Sequence, residues 1–165
     1  MKGLGVLLIV LGFIIPAVRI VKSIQFDQEC CGYLKQAADA NTVELAYDRI
    51  TKALDYIEKN NLTSGYTSIL YKTEEDNIEF WYNNIKACSE ELKECQEGTQ
   101  LEKSNVLMKV RESLTDEGEK GTELTVPPGI SVYPNNIIYG FLLGLSFVFF
   151  TMGSWLIVVY KEDEL

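Results

Sequence analysis

The chain has 165 residues, a net charge of −9 and no histidine. That balance argues against polyanion binding and removes the commonest general base, metal ligand and pH switch together. Between Ser23 and Asn136, 21 acidic residues stand against 11 basic ones, so neither nucleic acid nor an anionic lipid surface is an expected partner.

In chain order, residues 1–22 open with Lys2 and GLGVLLIVLGFIIPAV, which read like the charged and apolar regions of a secretory signal. No small-x-small cleavage site follows; Pro16, Arg19 and Lys22 do. An uncleaved signal anchor forming a first transmembrane helix is expected, with a removed peptide as the alternative. Pro16 is expected to kink this helix or close it early.

Residues 23–125 read as one helical soluble domain. Phe26–Ala38 looks helical, with Leu34, Ala37 and Ala38 apolar. From Asn41, the residues Val43, Tyr47, Ile50, Leu54 and Ile57 recur at intervals of four and three, an a/d seam along one helix face. Asn41 with Glu44 three residues on reads as a capping box, and Asn60-Asn61 as the helix end. Leu62–Tyr71 (LTSGYTSILY) predicts a turn and an extended piece rich in hydroxyls. Thr73 reads as the next N-cap, with Glu74, Glu75 and Asp76 suited to a helix's positive end. The seam that follows is Ile78, Trp81, Ile85, Cys88, Leu92 and Cys95, and Gly98 is its stop. Ser104–Leu114 predicts a third helix bearing Leu107, Val110 and Leu114. Thr115–Glu123 is polar and contains glycine, and reads as a loop. Residues 126–136 form a proline-rich strap, extended or turned because its prolines withhold amides.

Residues 137–160, IIYGFLLGLSFVFFTMGSWLIVVY, carry no charge. As a helix they reach about 36 Å, enough to span a hydrocarbon core about 30 Å thick. Tyr139, Trp155 and Tyr160 sit near the ends, where amphipathic rings favour the interface. Gly140-x-x-x-Gly144 permits close helix approach, with Ser146, Gly153 and Ser154 as further small positions. Packing on another helix is expected there, the first span among the candidates. No ionisable residue lies mid-span, which argues against an ion or proton path. Residues 161–165 are a short acidic tail. Its Glu-Asp-Glu-Leu resembles an ER retention signal by chance, since both chain ends are expected opposite the insert.

The expected fold class is all-α: two transmembrane helices flanking an antiparallel helical hairpin or bundle. Positive charges balance across the first span. The signal-like start, and an even number of cysteines confined to the insert, point to an exported insert in an oxidising compartment. In an antiparallel hairpin Ile57 meets Ile78, while the start of the first helix meets Leu92 and Cys95. Cys30 and Cys31 then lie towards that same end, and a disulfide from one of them to Cys95 is expected rather than to Cys88. Four reduced thiols are the alternative. Vicinal Cys30-Cys31 lacks the C-x-x-C arrangement of redox sites, and the four cysteines lack paired zinc-site spacing.

The densest polar-aromatic run is FWYNN, residues 80–84. Trp81 belongs to the core seam. Tyr82, Asn83 and Asn84 fall off it, and with Tyr66, Thr67 and Tyr71 they make the expected ligand or partner surface. No catalytic residue, cofactor or metal site is expected. Helix capping accounts for Glu74-Glu75-Asp76, Asp116–Glu123 lacks calcium-loop order, and Asn61-Leu-Thr63 is a glycosylation pattern only in a eukaryotic secretory route.

The stretches AADANTVELA (37–46), LTSGYTSILY (62–71), FWYNNIKA (80–87), LEKSNVLMKVRESL (101–114) and VPPGISVYPNN (126–136) cover nearly all of the insert. They resemble a family of small two-span bacterial membrane proteins, cyanobacterial ones included, with a helical extracytoplasmic insert. That family has no assigned activity, so the resemblance implies a bacterial cytoplasmic membrane and no catalytic residue. The expected function is a non-catalytic scaffold or accessory subunit. Its expected partners are the lipid bilayer and another membrane or envelope protein, or a second copy. An extracytoplasmic ligand sensor signalling through a partner is the alternative, and a thiol-redox protein comes third.

Overall fold

Apolar periodicity dictates helix over most of the chain, and the structure, a computed structural model describing residues 2–118 and 121–162, is mostly helical. Its helices are α1 (Lys2–Phe26), α2 (Gly32–Ala38), α3 (Val43–Lys59), α4 (Ile78–Glu94), α5 (Gln100–Leu114) and α6 (Asn136–Glu162). A π-turn, Asp27–Cys31, joins α1 to α2, and single 3₁₀ turns cover Cys95–Glu97 and Ile130–Val132. The all-α expectation is met apart from one small sheet, β1 (Thr115–Gly118) and β2 (Gly121–Leu124). Residues of the acidic tail beyond Glu162 lie outside the described residues, as do Glu119 and Lys120. The chain divides into two units, Met1–Ile24 with Pro134–Leu165, and Gln25–Tyr133.

In the first unit both helices are long and apolar enough to cross a membrane. Their large side chains point outward: Phe13 is 60% exposed, Phe141 73% and Phe147 70%. A core helix of a soluble protein would bury such rings. The helices pair antiparallel through small residues seven apart. A Cβ on Gly5 would come within 2.9 Å of the Gly153 carbonyl oxygen, and one on Gly153 within 2.7 Å of the Gly5 oxygen. One turn-pair further, a Cβ on Gly12 would meet the Ser146 oxygen at 3.1 Å. Phe13 and Phe150 stack edge to face beside this contact, centroids 5.6 Å apart.

Pro16 lies inside α1 without ending it. Having no N–H, it leaves the carbonyl of Gly12, four residues earlier, without its helical donor. The buried Ser146 hydroxyl on α6 donates to that carbonyl instead. This is how proline is tolerated in apolar helices: a neighbouring hydroxyl satisfies the freed backbone group. The expected Gly140–Gly144 contact with the first span is not made. Both glycines are exposed, and a Cβ at Gly144 would meet nothing within 4 Å. The pairing needs the hydroxyl at Ser146, and Gly144 is on another face.

In the second unit α2, α3, α4 and α5 pack in a closed sequence of neighbours. Helix α3 buries Val43, Ala46, Ile50, Ala53 and Ile57, while Tyr47 and Leu54 of the expected seam are only half-buried. The alanines win these places because α2 packs against α3, and a methyl admits a neighbouring helix where a tyrosine would not. Helix α4 contributes Ile78, Trp81, Ile85, Cys88 and Leu92, as its periodicity predicts, and Val110 and Leu114 of α5 complete the core.

The helix ends correct the sequence reading by one to four residues. The α3 N-cap is Thr42, not Asn41: its hydroxyl accepts from the Leu45 amide at 3.2 Å. Glu44 pairs instead with Lys103 of α5 at 3.2 Å. Helix α3 stops where Asn61 takes a left-handed conformation (φ 56°), so that the Leu62 amide bonds the Ile57 carbonyl at 2.9 Å. Helix α4 starts at Ile78, capped by Asn77 on the Phe80 amide at 3.1 Å. Thr73 serves a preceding turn, its hydroxyl donating to Asp76 at 2.6 Å. The capping box lies on α5, where Thr99 and Glu102 bond each other's backbone and start the helix at Gln100 rather than Ser104. These bonds hold the Glu102 carboxyl below its ordinary range.

Removing the Ser146 hydroxyl should orphan the Gly12 carbonyl. We expect Ser146→Ala to weaken the helix pair by about 1 kcal/mol. In a Pro16→Ala background, which restores an amide to that carbonyl, the same change should cost much less. Detergent-induced unfolding of the four chains of this double-mutant cycle measures it; equal costs in both backgrounds would refute the clasp.

Candidate functional site

Local folding around the first turns of α4 builds a groove with an aromatic floor. The indole of Trp81 donates to the Thr125 carbonyl at 2.9 Å, and the side-chain amide of Asn84 donates to the Ser113 carbonyl at 3.2 Å. The Thr125 amide in turn bonds the Leu114 carbonyl at 2.9 Å. These bonds hang the β-hairpin and the strap after it on α4 and α5. Between them is a cleft of about 500 Å³, within the size range of small-ligand sites.

Its floor is apolar: Phe80, Trp81, Ile85, Leu124, Val126 and Pro127 line it. Trp81 and Ile85 are buried, whereas Phe80 stands 65% exposed. The rim is acidic, with Glu74 and Glu75 before α4, Asp116 and Glu117 on β1, and Glu123 on β2. No Lys or Arg lines it among the described residues. Asp116 caps the Glu117 amide at 2.8 Å, and no ion pair among the described residues reaches a rim carboxylate.

The expected surface is dispersed, and only Asn84 of its members lines this cleft. Tyr82 turns towards α3 and donates to Glu58 at 2.8 Å, a bond that pushes the phenol's pKa up. Asn83 is exposed. Thr67 is buried, its amide on the Asp76 carbonyl at 3.0 Å and its hydroxyl on the Asp76 carboxylate at 3.2 Å. Tyr66 forms a single bridge with Asn77, with the Lys72 ammonium 4.9 Å from its ring centroid. Tyr71 is 80% exposed. Tyr82 and Asn84 lie on different sides of α4, Tyr82 bonded to α3 and Asn84 to the end of α5. Phe80 and the hairpin acids were missed. A large apolar residue one place off the seam was the available signal for Phe80; nothing local marks the hairpin acids.

A second tie holds the strap. Gly65 has φ +106°, open to glycine and strained for other residues. A Cβ there would fall 2.0 Å from the Tyr133 hydroxyl, which donates to the Ser64 carbonyl at 3.0 Å.

All four cysteines are free thiols, which corrects the expected bridge from Cys30 or Cys31 to Cys95. The π-turn and α2 fold back along α3, so Cys30 and Cys31 lie beside Tyr56, near the end of α3. Burial, with Cys30, Glu29 and Cys31 alongside, pushes the Tyr56 pKa up. Tyr82, near the start of α4, also meets that end of α3 through Glu58. Cys95 is 13 residues further along α4, about 20 Å away at 1.5 Å per residue. A disulfide needs Cα atoms within about 7 Å. Cys30 is fully buried and Cys88 nearly so; burial pushes the Cys88 thiol above its ordinary value. Among the described residues no three His, Cys, Asp or Glu side chains converge as a metal-ligand set.

Comparison with known proteins returns no match among family models, curated proteins or solved structures.

Three outcomes follow from this geometry. Denatured, unreduced protein should titrate four thiols, while in the native protein Cys30 and Cys88 should stay silent to a maleimide at pH 7; two titratable thiols would restore a bridge. Because burial favours the neutral Cys88 thiol, the unfolded chain ionises first. Stability should therefore fall as pH rises past the ordinary value of 9.0, and Cys88→Ala should remove part of that alkaline slope in thermal melts, the rest belonging to Cys30 and Cys31, whose thiols burial pushes up as well. Gly65→Ala should displace Tyr133 and cost about 1–3 kcal/mol, seen as a lower urea midpoint and faster proteolysis within residues 126–133.

Proposed function

We propose that this chain is a non-catalytic scaffold or accessory subunit of a bacterial cytoplasmic membrane. In this reading α1 and α6 are its two spans, and the body Gln25–Tyr133 stands outside the cytoplasm and binds another membrane or envelope protein. The observation that carries the reading is the cleft on α4. It is open, apolar-floored and acid-rimmed, while the polar groups around it are committed to holding the fold. The outward-facing rings of α1 and α6 support the membrane setting. The resemblance of the insert to small two-span bacterial membrane proteins supports the compartment. A ligand-sensing role is the second reading, favoured by a cleft volume that suits a small molecule.

The test uses the full chain in gentle detergent, with a photo-crosslinking residue placed at Phe80 and mass spectrometry of the adducts. One membrane or envelope protein should crosslink and co-purify in fixed proportion. Recovery of the chain alone, as a monomer, would refute the scaffold. For orientation, an impermeant maleimide should label Asn83→Cys in intact cells; labelling only after lysis would put the body on the other side.

A further inference from the structure

The cleft carries more information than its existence. Five carboxylates reach its rim from three separate segments, and no ion pair among the described residues compensates them. Elsewhere in the body Arg49 and Lys52 pair with Asp48, Lys103 with Glu44 and Lys109 with Glu91. An uncompensated carboxylate rim repels itself and attracts a cationic occupant. The floor adds a second demand. Phe80 presents an exposed ring, which rewards both apolar contact and a cation over its face. Two side-chain donors of the lining are already used. The Trp81 indole and the Asn84 amide are both donated to backbone carbonyls.

A third feature concerns shape. The hairpin has only two strands, so each presents one edge without a strand partner. Strand edges accept an extended segment by main-chain hydrogen bonds. Here the edges carry Asp116, Glu117 and Glu123, which reject a like-charged segment. A second copy of a chain with net charge −9 is a poor occupant for the same reason, and so is an anionic lipid headgroup.

We infer that this groove takes a short extended segment of the partner protein, in which Lys or Arg side chains flank an apolar or aromatic one. The inference rests on the scaffold reading above and names the chemistry of its partner. The apolar side chain packs on Phe80, Val126 and Pro127. The flanking cations meet Glu74 and Glu75 on one side and the hairpin acids on the other. The backbone runs beside the hairpin.

The experiment uses the full chain in detergent micelles and three probes: a fluorescent Lys-Phe-Lys-Val-Lys peptide, its Glu-Phe-Glu-Val-Glu counterpart, and spermine. Anisotropy should show binding of the basic peptide only, weakening as salt rises. The triple variant Glu74→Gln, Glu75→Gln, Asp116→Asn should weaken it by about tenfold or more, and so should Phe80→Ser, with thermal melts confirming that both fold. A control of equal charge change away from the groove, Glu79→Gln, Glu90→Gln, Glu94→Gln, should leave binding within about twofold. Absence of basic-peptide binding, or equal losses in the two triple variants, would overturn the assignment. Spermine displacing the peptide at equal affinity would assign the groove to a small cation instead, and self-association abolished by the groove variants would assign it to a second copy. The two readings fail separately. A partner crosslinked equally by wild type and groove variants leaves the scaffold standing and sinks the groove; a chain that binds the peptide yet captures no protein does the reverse.

Discussion

The arrangement of the two apolar helices depends on one backbone carbonyl. Pro16 strips Gly12 of its helical donor, and in an apolar environment an unsatisfied carbonyl costs far more than in water. The Ser146 hydroxyl is the group that answers it. That single bond sets the register, because Gly12 opposite Ser146 in an antiparallel pair puts Gly5 opposite Gly153 seven residues away on each helix. Only glycine at those places allows backbones to approach within 3 Å of a hypothetical Cβ. Polar need and steric permission therefore specify the same pairing. The Gly140–Gly144 pair offers permission without need, and it is left unused within the chain.

The body solves its own satisfaction problem with few side chains. Thr42, Asn77 and Thr99 cap three successive helices, and Asn61 turns the end of one. Arg111 reaches back to the Ala38 carbonyl at 2.9 Å and fastens α5 to the end of α2. The hairpin and strap, with little core of their own, are attached by bonds from Trp81, Thr125 and Tyr133. A segment fixed at its ends but not packed along its length leaves an open cleft beneath it, and here the apolar groups under it are Phe80 and Ile85.

Periodicity made α3, α4 and α6 legible, because a 3.6-residue repeat of large apolar residues has one solution. It misassigned the inner face of α3, since a hydrophobicity pattern prefers Tyr47 and Leu54 to Ala46 and Ala53, and only the neighbouring helix decides that methyl groups must face it. Cap positions slipped because Asn41 and Thr42, or Thr73 and Asn77, are equivalent on chemistry alone; backbone geometry chooses. The hairpin is illegible: Thr-Asp-Glu-Gly and Gly-Thr-Glu-Leu have no apolar alternation and only one β-branched residue each, and they form strands because Leu114 and Thr125 are bonded across their base. The disulfide expectation failed for a topological reason. It placed Cys30 by sequence distance from α3, whereas α2 folding back carries it to the opposite end of that helix. Of the expected surface only Asn84 lines the cleft, and which sides of α4 its residues take depends on α3 and α5.

An acidic rim that no Lys or Arg lines among the described residues has an energetic consequence for the segment that carries it. Repulsion among Asp116, Glu117, Glu123 and the Glu74-Glu75 pair acts to open the cleft, while the Trp81 and Asn84 bonds act to close it. Net bonds of this kind are worth about 1 kcal/mol each, and repulsion among exposed like charges opposes them most at low salt. On the inference above, an occupant bringing positive charge relieves that repulsion, so its binding and the attachment of the hairpin to α4 are thermodynamically linked.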